Sequence, residues 1–225
     1  QGEYPRAEKF LVSGVRNSDS PAANYIAAAR AADAQSHTQE RERYLRLAVT
    51  LDPSLKATVA ITEAEMLIGR SDWHGALSSL EGLANTRATL NLRKQALLNL
   101  RDWQGLTNIM NELRKYADDP AVQLAFEKQV AQQRFASPNN TDESLGVLFR
   151  RLSDSLKSDP ELVADYCRRV RDDKQVESLL RSTIKHQWHD ALVVAYGHAG
   201  KETLGKRLKT AQGWQKTHPD NWALQ

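Results

Sequence analysis

An all-α solenoid of paired antiparallel helices is the fold class that this 225-residue sequence predicts. Apolar residues recur at helical spacing along almost the whole chain, no alternation of period two competes, and prolines punctuate the pattern. Pro21, Pro53, Pro120, Pro160 and Pro219 each stand where one apolar periodicity stops or the next begins. Proline behaves so because it is tolerated in a first helical turn and breaks a helix interior.

The elements follow in chain order. A helix is expected over 4 to 16, and a second over 22 to 35, where the alanines at 27, 28, 29, 31 and 32 combine strong helix propensity with room for a close neighbour. Tyr44, Leu47, Ala48 and Leu51 form the apolar stripe of a helix over 38 to 51, and Ala60, Ala64, Leu67 and Ile68 that of 55 to 69. Leu77, Leu80 and Leu83 mark 72 to 84. The same periodicity predicts helices over 87 to 100, 103 to 117, 120 to 135, 142 to 157, 160 to 172, 174 to 186, 189 to 199 and 201 to 217. Residues 136 to 142, Ala-Ser-Pro-Asn-Asn-Thr-Asp, are rich in turn formers and carry no large apolar group. The expected organisation is therefore helical repeats over 1–135, a linker or long inter-helix loop at 136–142, and further helical hairpins over 143–225 that continue the stack.

A repeat underlies these helices. An acidic residue, an aromatic, two spacers and a small or apolar residue recur as Glu3-Tyr4-x-x-Ala7, Asp72-Trp73-x-x-Ala76, Asp102-Trp103-x-x-Leu106 and, more loosely, Trp188-x-x-Ala191. Each is expected to open the second helix of a pair. With Arg41 at the equivalent place, Ala7 to Arg41 is 34 residues and Arg41 to Ala76 is 35, the period of the tetratricopeptide helix-turn-helix unit. Tyr25, Leu45, Ala48 and Pro53 fill other places of that unit, while Arg41 stands where a small residue is expected. Ala76 to Leu106 is only 30, so the later pairs are degenerate or of another length, and the repeat reads to about residue 117. Units of this kind stack into a right-handed superhelix whose first helices line the concave wall.

Composition narrows the function. Lysine and arginine number 31 against 28 aspartate and glutamate, a net charge of +3 too small to imply nucleic acid. Arginine and aromatic residues also fail to interleave along one face, as a single-strand binder would need. Cys167 stands alone, so neither an internal disulfide nor a cysteine-based zinc site can form, and a reducing compartment is favoured. No apolar stretch approaches the roughly 20 residues that span a bilayer, and no signal peptide opens the chain. A start at Gln1, with a helix pattern from Tyr4, is expected of a piece of a longer protein. Glycine-rich phosphate loops, nucleophile elbows and metal-ligand signatures are lacking, so a non-enzymatic binding protein is expected.

If first helices line the groove, Asn24, Arg30, Glu65, Asn91 and Gln95 are the residues that point into it and contact a partner. His186 and His189, three apart, could ligate a metal or haem iron on one continuous helix, but Trp188 between them places the pair across an inter-helix turn. Arg41, Arg43 and Arg46, then Arg150 and Arg151, then Arg168, Arg169 and Arg171 are basic groups offset by Glu40, Glu42, Asp172 and Asp173. They read as solvated faces, with anion recognition the sharper alternative.

The opening Glu3-Tyr4-x-x-Ala7-Glu8-x-x-Leu11, then Ser18-Asp19-x-Pro21 and Asn24-Tyr25-x-Ala27-Ala28-Ala29-Arg30-Ala31-Ala32, resembles the HemY family of tetratricopeptide proteins. Arg101-Asp102-Trp103-x-x-Leu106, Asp159-Pro160-Glu161-Leu162-Val163 and Trp188-x-x-Ala191-Leu192-Val193-x-x-Tyr196-Gly197 are similar too. The likeness covers nearly the whole chain and is weakest between 117 and 145; Phe149 stands where relatives carry Trp. It implies the soluble region of an inner-membrane protein of Proteobacteria, lying on the cytoplasmic face and anchored by an N-terminal segment absent from this sequence, with a final repeat expected after Trp222. The implied function is a scaffold or adaptor for late enzymes of haem synthesis, with no cofactor of its own. Direct haem or porphyrin carriage, with His186 or His189 on the iron, is the first alternative, and self-assembly into homo-oligomers through open solenoid ends is the second.

Overall fold

A computed structural model describes residues 3–224. Among the described residues there are fourteen α-helices, a few short 3₁₀ turns and no strand. Two compact units are present, one up to Tyr116 and one from Ala117 onward. The segment expected as a linker or long inter-helix loop, 136 to 142, lies inside the second.

The first unit contains α1 (Tyr4–Gly14), α2 (Pro21–Ala34), α3 (Thr38–Leu51), α4 (Lys56–Gly69), α5 (Trp73–Ser79), α6 (Arg87–Asn99) and α7 (Trp103–Lys115). Helix α2 packs on α3, α4 on α5 and α6 on α7, and α4 also touches both α2 and α6. These contacts define three antiparallel pairs whose first helices, α2, α4 and α6, lie side by side. The alanines make the close approach: Ala28, Ala29 and Ala32 are fully buried against Tyr44, Leu45 and Ala48 of α3. Farther along, Ala64, Leu67 and Ile68 of α4 bury against Ala76 and Leu80.

The turns inside the pairs are copies of one design. Ser36, Ser71 and Arg101 take left-handed φ values of 63°, 61° and 54°. The next residue in each turn, His37, Asp72 or Asp102, donates its N–H back to Ala32, Leu67 or Leu97, each time at 2.9 Å. This is the six-to-one closure of a helix C-terminus. From 36 to 71 and from 71 to 101 the steps are 35 and 30, matching the spacing of Arg41, Ala76 and Leu106, which are all buried. Asp72 and Asp102 then cap α5 and α7, accepting from the N–H of Gly75 and Gly105 at 2.9 and 2.8 Å.

The second unit contains α8 (Pro120–Phe135), α9 (Asp142–Arg150), α10 (Asp154–Lys157), α11 (Pro160–Cys167), α12 (Asp173–His186), α13 (Asp190–His198) and α14 (Leu204–Thr217). Helix α11 packs against both α8 and α13, as α4 does against α2 and α6. Its core gathers Phe135, Leu145, Leu162, Val163, Tyr166, Leu180, Leu192 and Tyr196. The loop at 136–141 is held by Asn140, whose Nδ2 donates to the carbonyls of Arg134 and Phe135 at 2.7 and 3.1 Å.

Several expected boundaries move. The helix expected over 142 to 157 divides into α9 and α10, because Ser153 adopts extended backbone as the residue before α10, which restarts to bury Leu156. The helix expected over 72 to 84 ends at Ser79: Gly82 turns left-handed at φ 72°, and Arg93 Nη2 donates to the carbonyls of Leu80 and Leu83 at 2.6 and 3.0 Å. Trp188 does not open a helix. It lies two residues before α13, with His189 as cap, because its ring stacks instead on His218 with centroids 3.7 Å apart.

Candidate functional site

Four of the five sequence-derived groove residues stand with substantial exposure on the row of first helices in the first unit. Arg30 on α2 and Glu65 on α4 meet directly, Nη2 to Oε2 at 2.8 Å, with side chains 57% and 44% exposed. Such a pair has water at its back and contributes little to stability. Asn91 and Gln95 are exposed one turn apart on α6, and among the described residues no hydrogen bond links their side chains to the other three. Asn24 is half-buried, with Nδ2 3.7 Å from where a Cβ on Gly14 would stand. The structure thus brings Arg30 and Glu65 together and leaves Asn91 and Gln95 apart from them on α6.

Behind this surface lies a charge cluster that the sequence only hinted at. Asp33 accepts from Arg41 Nη1 at 3.2 Å and forms an ion pair with Arg70 Nε at 2.9 Å, and Arg70 donates to Thr38 Oγ1. Arg41 fills the place of the expected small residue and is 5% exposed. Its guanidinium is tolerated there because Asp33 neutralises it. Glu8 of α1 accepts from Gln35 Nε2 at 2.7 Å and from the Tyr44 hydroxyl at 3.0 Å. Burial, together with the hydrogen bond and charge of Glu8, pushes the Tyr44 phenol up to about 12.

In the second unit the two candidate iron ligands, His186 and His189, separate. His186 is the last residue of α12 and is exposed, whereas His189 caps α13, its Nδ1 accepting the N–H of Ala191 at 3.2 Å. Among the described residues no group of three or more His, Cys, Asp and Glu is placed to hold a metal ion. Cys167 is buried and its thiol is pushed up to about 12 by that burial, so at neutral pH it stays protonated. Of the basic groups, Arg168 and Arg169 both reach Asp165 at 3.6 Å, and Arg43 reaches Glu40 at 3.5 Å.

Sequence reasoning missed the polar lock around Glu177. This carboxylate, 1% exposed, accepts from the Tyr196 hydroxyl at 3.1 Å, Arg181 Nε at 2.9 Å and Lys206 Nζ at 2.8 Å. Burial opposes its ionisation, yet the hydrogen bonds from Lys206 and Tyr196 and the Arg181 charge hold it below the ordinary carboxylate range. Arg207, also buried, donates to the carbonyls of Tyr196, Gly197 and Gly200. Of these contacts only Glu177–Arg181 has a local spacing, i to i+4 on one helix, whereas Tyr196 and Lys206 lie 19 and 29 residues from Glu177. At the end of the chain Asp190 accepts from Asn221 Nδ2 and Trp222 Nε1 at 2.8 and 2.7 Å, and these bonds lower its pKa.

No helix among the described residues is long and apolar enough to cross a membrane. No protein-family model matches the chain, and no solved structure matches it. Curated relatives do: the chain is 22% identical over 204 residues to Protein HemY of Escherichia coli K12, and equally to Protein HemY of Escherichia coli O157:H7 and of Shigella flexneri. Each alignment covers 86% of this chain and 51% of the relative, so the chain spans about half the length of the curated relatives it matches. Over most of its length, this chain is thus similar to the HemY proteins.

Proposed function

We propose that the chain is the repeat region of a HemY-like, tetratricopeptide-type scaffold that holds protein partners along the α2–α4–α6 row. The observation that supports this most directly is the Arg30–Glu65 contact at 2.8 Å. It joins consecutive first helices through an exposed, exchangeable pair on the face where stacked hairpins usually bind. Similarity to the HemY proteins over 86% of the chain supports late enzymes of haem synthesis as the partners. In this reading the protein works at the cytoplasmic face of a bacterial inner membrane, performs no chemistry and carries no haem of its own.

Co-purification of the protein with late haem-synthesis enzymes tests the reading. Arg30→Glu and Glu65→Arg each reverse one groove charge and should abolish capture, while circular dichroism and thermal midpoint stay near those of the parent. Undiminished capture by both variants removes this groove from consideration. A haem titration followed at the Soret band should show no saturable change; saturation would transfer the proposal to tetrapyrrole carriage.

A further inference from the structure

The outer face of α14 carries large apolar side chains that nothing in the structure covers. Leu204 and Leu208, one helical turn apart, are 60% and 58% exposed. The opposite side of the same helix is firmly seated: Trp214 packs on Tyr196 and Trp188 at centroid distances of 4.8 and 5.8 Å, and Lys206 is bound to Glu177.

Its charge is one-sided. From Thr203 to Thr217 the ionised groups are Lys206, Arg207, Lys209 and Lys216, with no carboxylate among them. Glu177 engages Lys206, and Arg207 is buried on backbone carbonyls. Lys209 and Lys216 remain, with no ion-pair partner among the described residues, at the two ends of an open depression lined also by Gln212, Gly213 and Gln215. Seven residues separate them, about 10 Å along the axis: Lys209 stands beside Leu208 and Lys216 two turns further along α14 on the same side.

We propose that this face docks an acidic amphipathic helix of a protein partner. The partner's leucine-type side chains would seat beside Leu204 and Leu208, as ridges pack into grooves. Carboxylates two turns apart would meet Lys209 and Lys216. A second copy presenting the same helix would oppose lysine to lysine, which disfavours self-pairing here. Two leucines also offer little apolar area for a lipid surface compared with interfacial helices.

The test uses the 225-residue chain and a capped synthetic peptide helix of about 15 residues, with leucines one turn apart and glutamates two turns apart. Saturable binding by fluorescence anisotropy is expected. Leu208→Asp should weaken it about tenfold or more. The Lys209→Glu/Lys216→Glu pair should do likewise, and a peptide with lysines in place of the glutamates should recover binding to that double variant. Unchanged circular dichroism guards against misfolding. Several results overturn the proposal: no saturable binding, no charge-swap recovery, or Leu208-dependent binding to phosphatidylglycerol vesicles. So do Leu208-dependent dimers by light scattering, or, in a longer form of the protein, crosslinks from Lys209 or Lys216 to residues beyond 225 of the same chain.

Discussion

Arg41 and Asp33 form an ion pair at 3.2 Å with the arginine side chain only 6% exposed, at the place where a hairpin repeat of this spacing ordinarily packs a small residue. The pair turns a local exception into a link between α2 and α3, and Arg70 ties the end of α4 to the same aspartate.

Removing that aspartate should be costly. Asp33→Ala leaves the buried Arg41 guanidinium with only the half-exposed Glu42, at 3.7 Å, and should destabilise the first unit by about 3 kcal/mol. Arg41→Met, which keeps the volume and drops the charge, should cost much less, and adding it to Asp33→Ala should recover most of the loss. Urea unfolding of the three variants checks this; equal losses for both single changes would show that packing and not charge dominates.

Acid should loosen the seat of α14. The folded pKa of Glu177 lies below its ordinary value, so the stabilisation is present at neutral pH and disappears as pH falls through the carboxylate range toward that lowered value. Glu177→Gln should be less stable than the parent at pH 7 and should lose less on acidification below about pH 4. Parallel acid-limb slopes in thermal melts would refute the assignment.

Alkali should act on the first unit in the opposite sense. The Tyr44 phenol is raised to about 12, so its contribution is complete below about pH 10, the unfolded value, and is lost as pH climbs through 12. Tyr44→Phe should flatten the stability profile over that interval, and Glu8→Gln should flatten it in part. A profile unchanged in both variants would place the alkaline transition elsewhere.

Two glycines should respond with opposite signs to the same substitution. A Cβ on Gly105 would stand 2.5 Å from Asp102 Oδ2 and 2.6 Å from Leu97 Cδ2, so Gly105→Ala should forfeit the α7 cap at about 1 kcal/mol or more. At Gly213 nothing lies within 4 Å, and Gly213→Ala inside α14 should stabilise by up to about 1 kcal/mol. Chemical denaturation midpoints decide it; a gain at Gly105 would contradict the capping geometry.

Much of the architecture was legible because helix formation in a stack of hairpins is local. Apolar stripes at 44, 47, 48 and 51 and at 60, 64, 67 and 68 lie on α3 and α4, and the Arg41–Ala76–Leu106 register matches three superposable turns. The glycine three residues after the capping aspartate, at Gly75 and Gly105, is a local signal of the cap as well, because a side chain there would collide with the carboxylate. Arg30 and Glu65 were assigned to one face by periodicity, whereas their direct contact depends on how α2 and α4 lie together.

The sequence by itself determined an all-α chain, the places of nearly all its helices and the register of its first repeats, since period, capping and proline act within a few residues. Tertiary structure alone decided that Arg41 could be buried, that the 142–157 segment would break at Ser153, that Trp188 would stack on His218 instead of starting a helix, and that Glu177 would gather Tyr196, Arg181 and Lys206. The burial of Arg41 needs Asp33 on the neighbouring helix, and the Trp188 and Glu177 contacts need His218, Tyr196 and Lys206, groups that become available only when the helices pack.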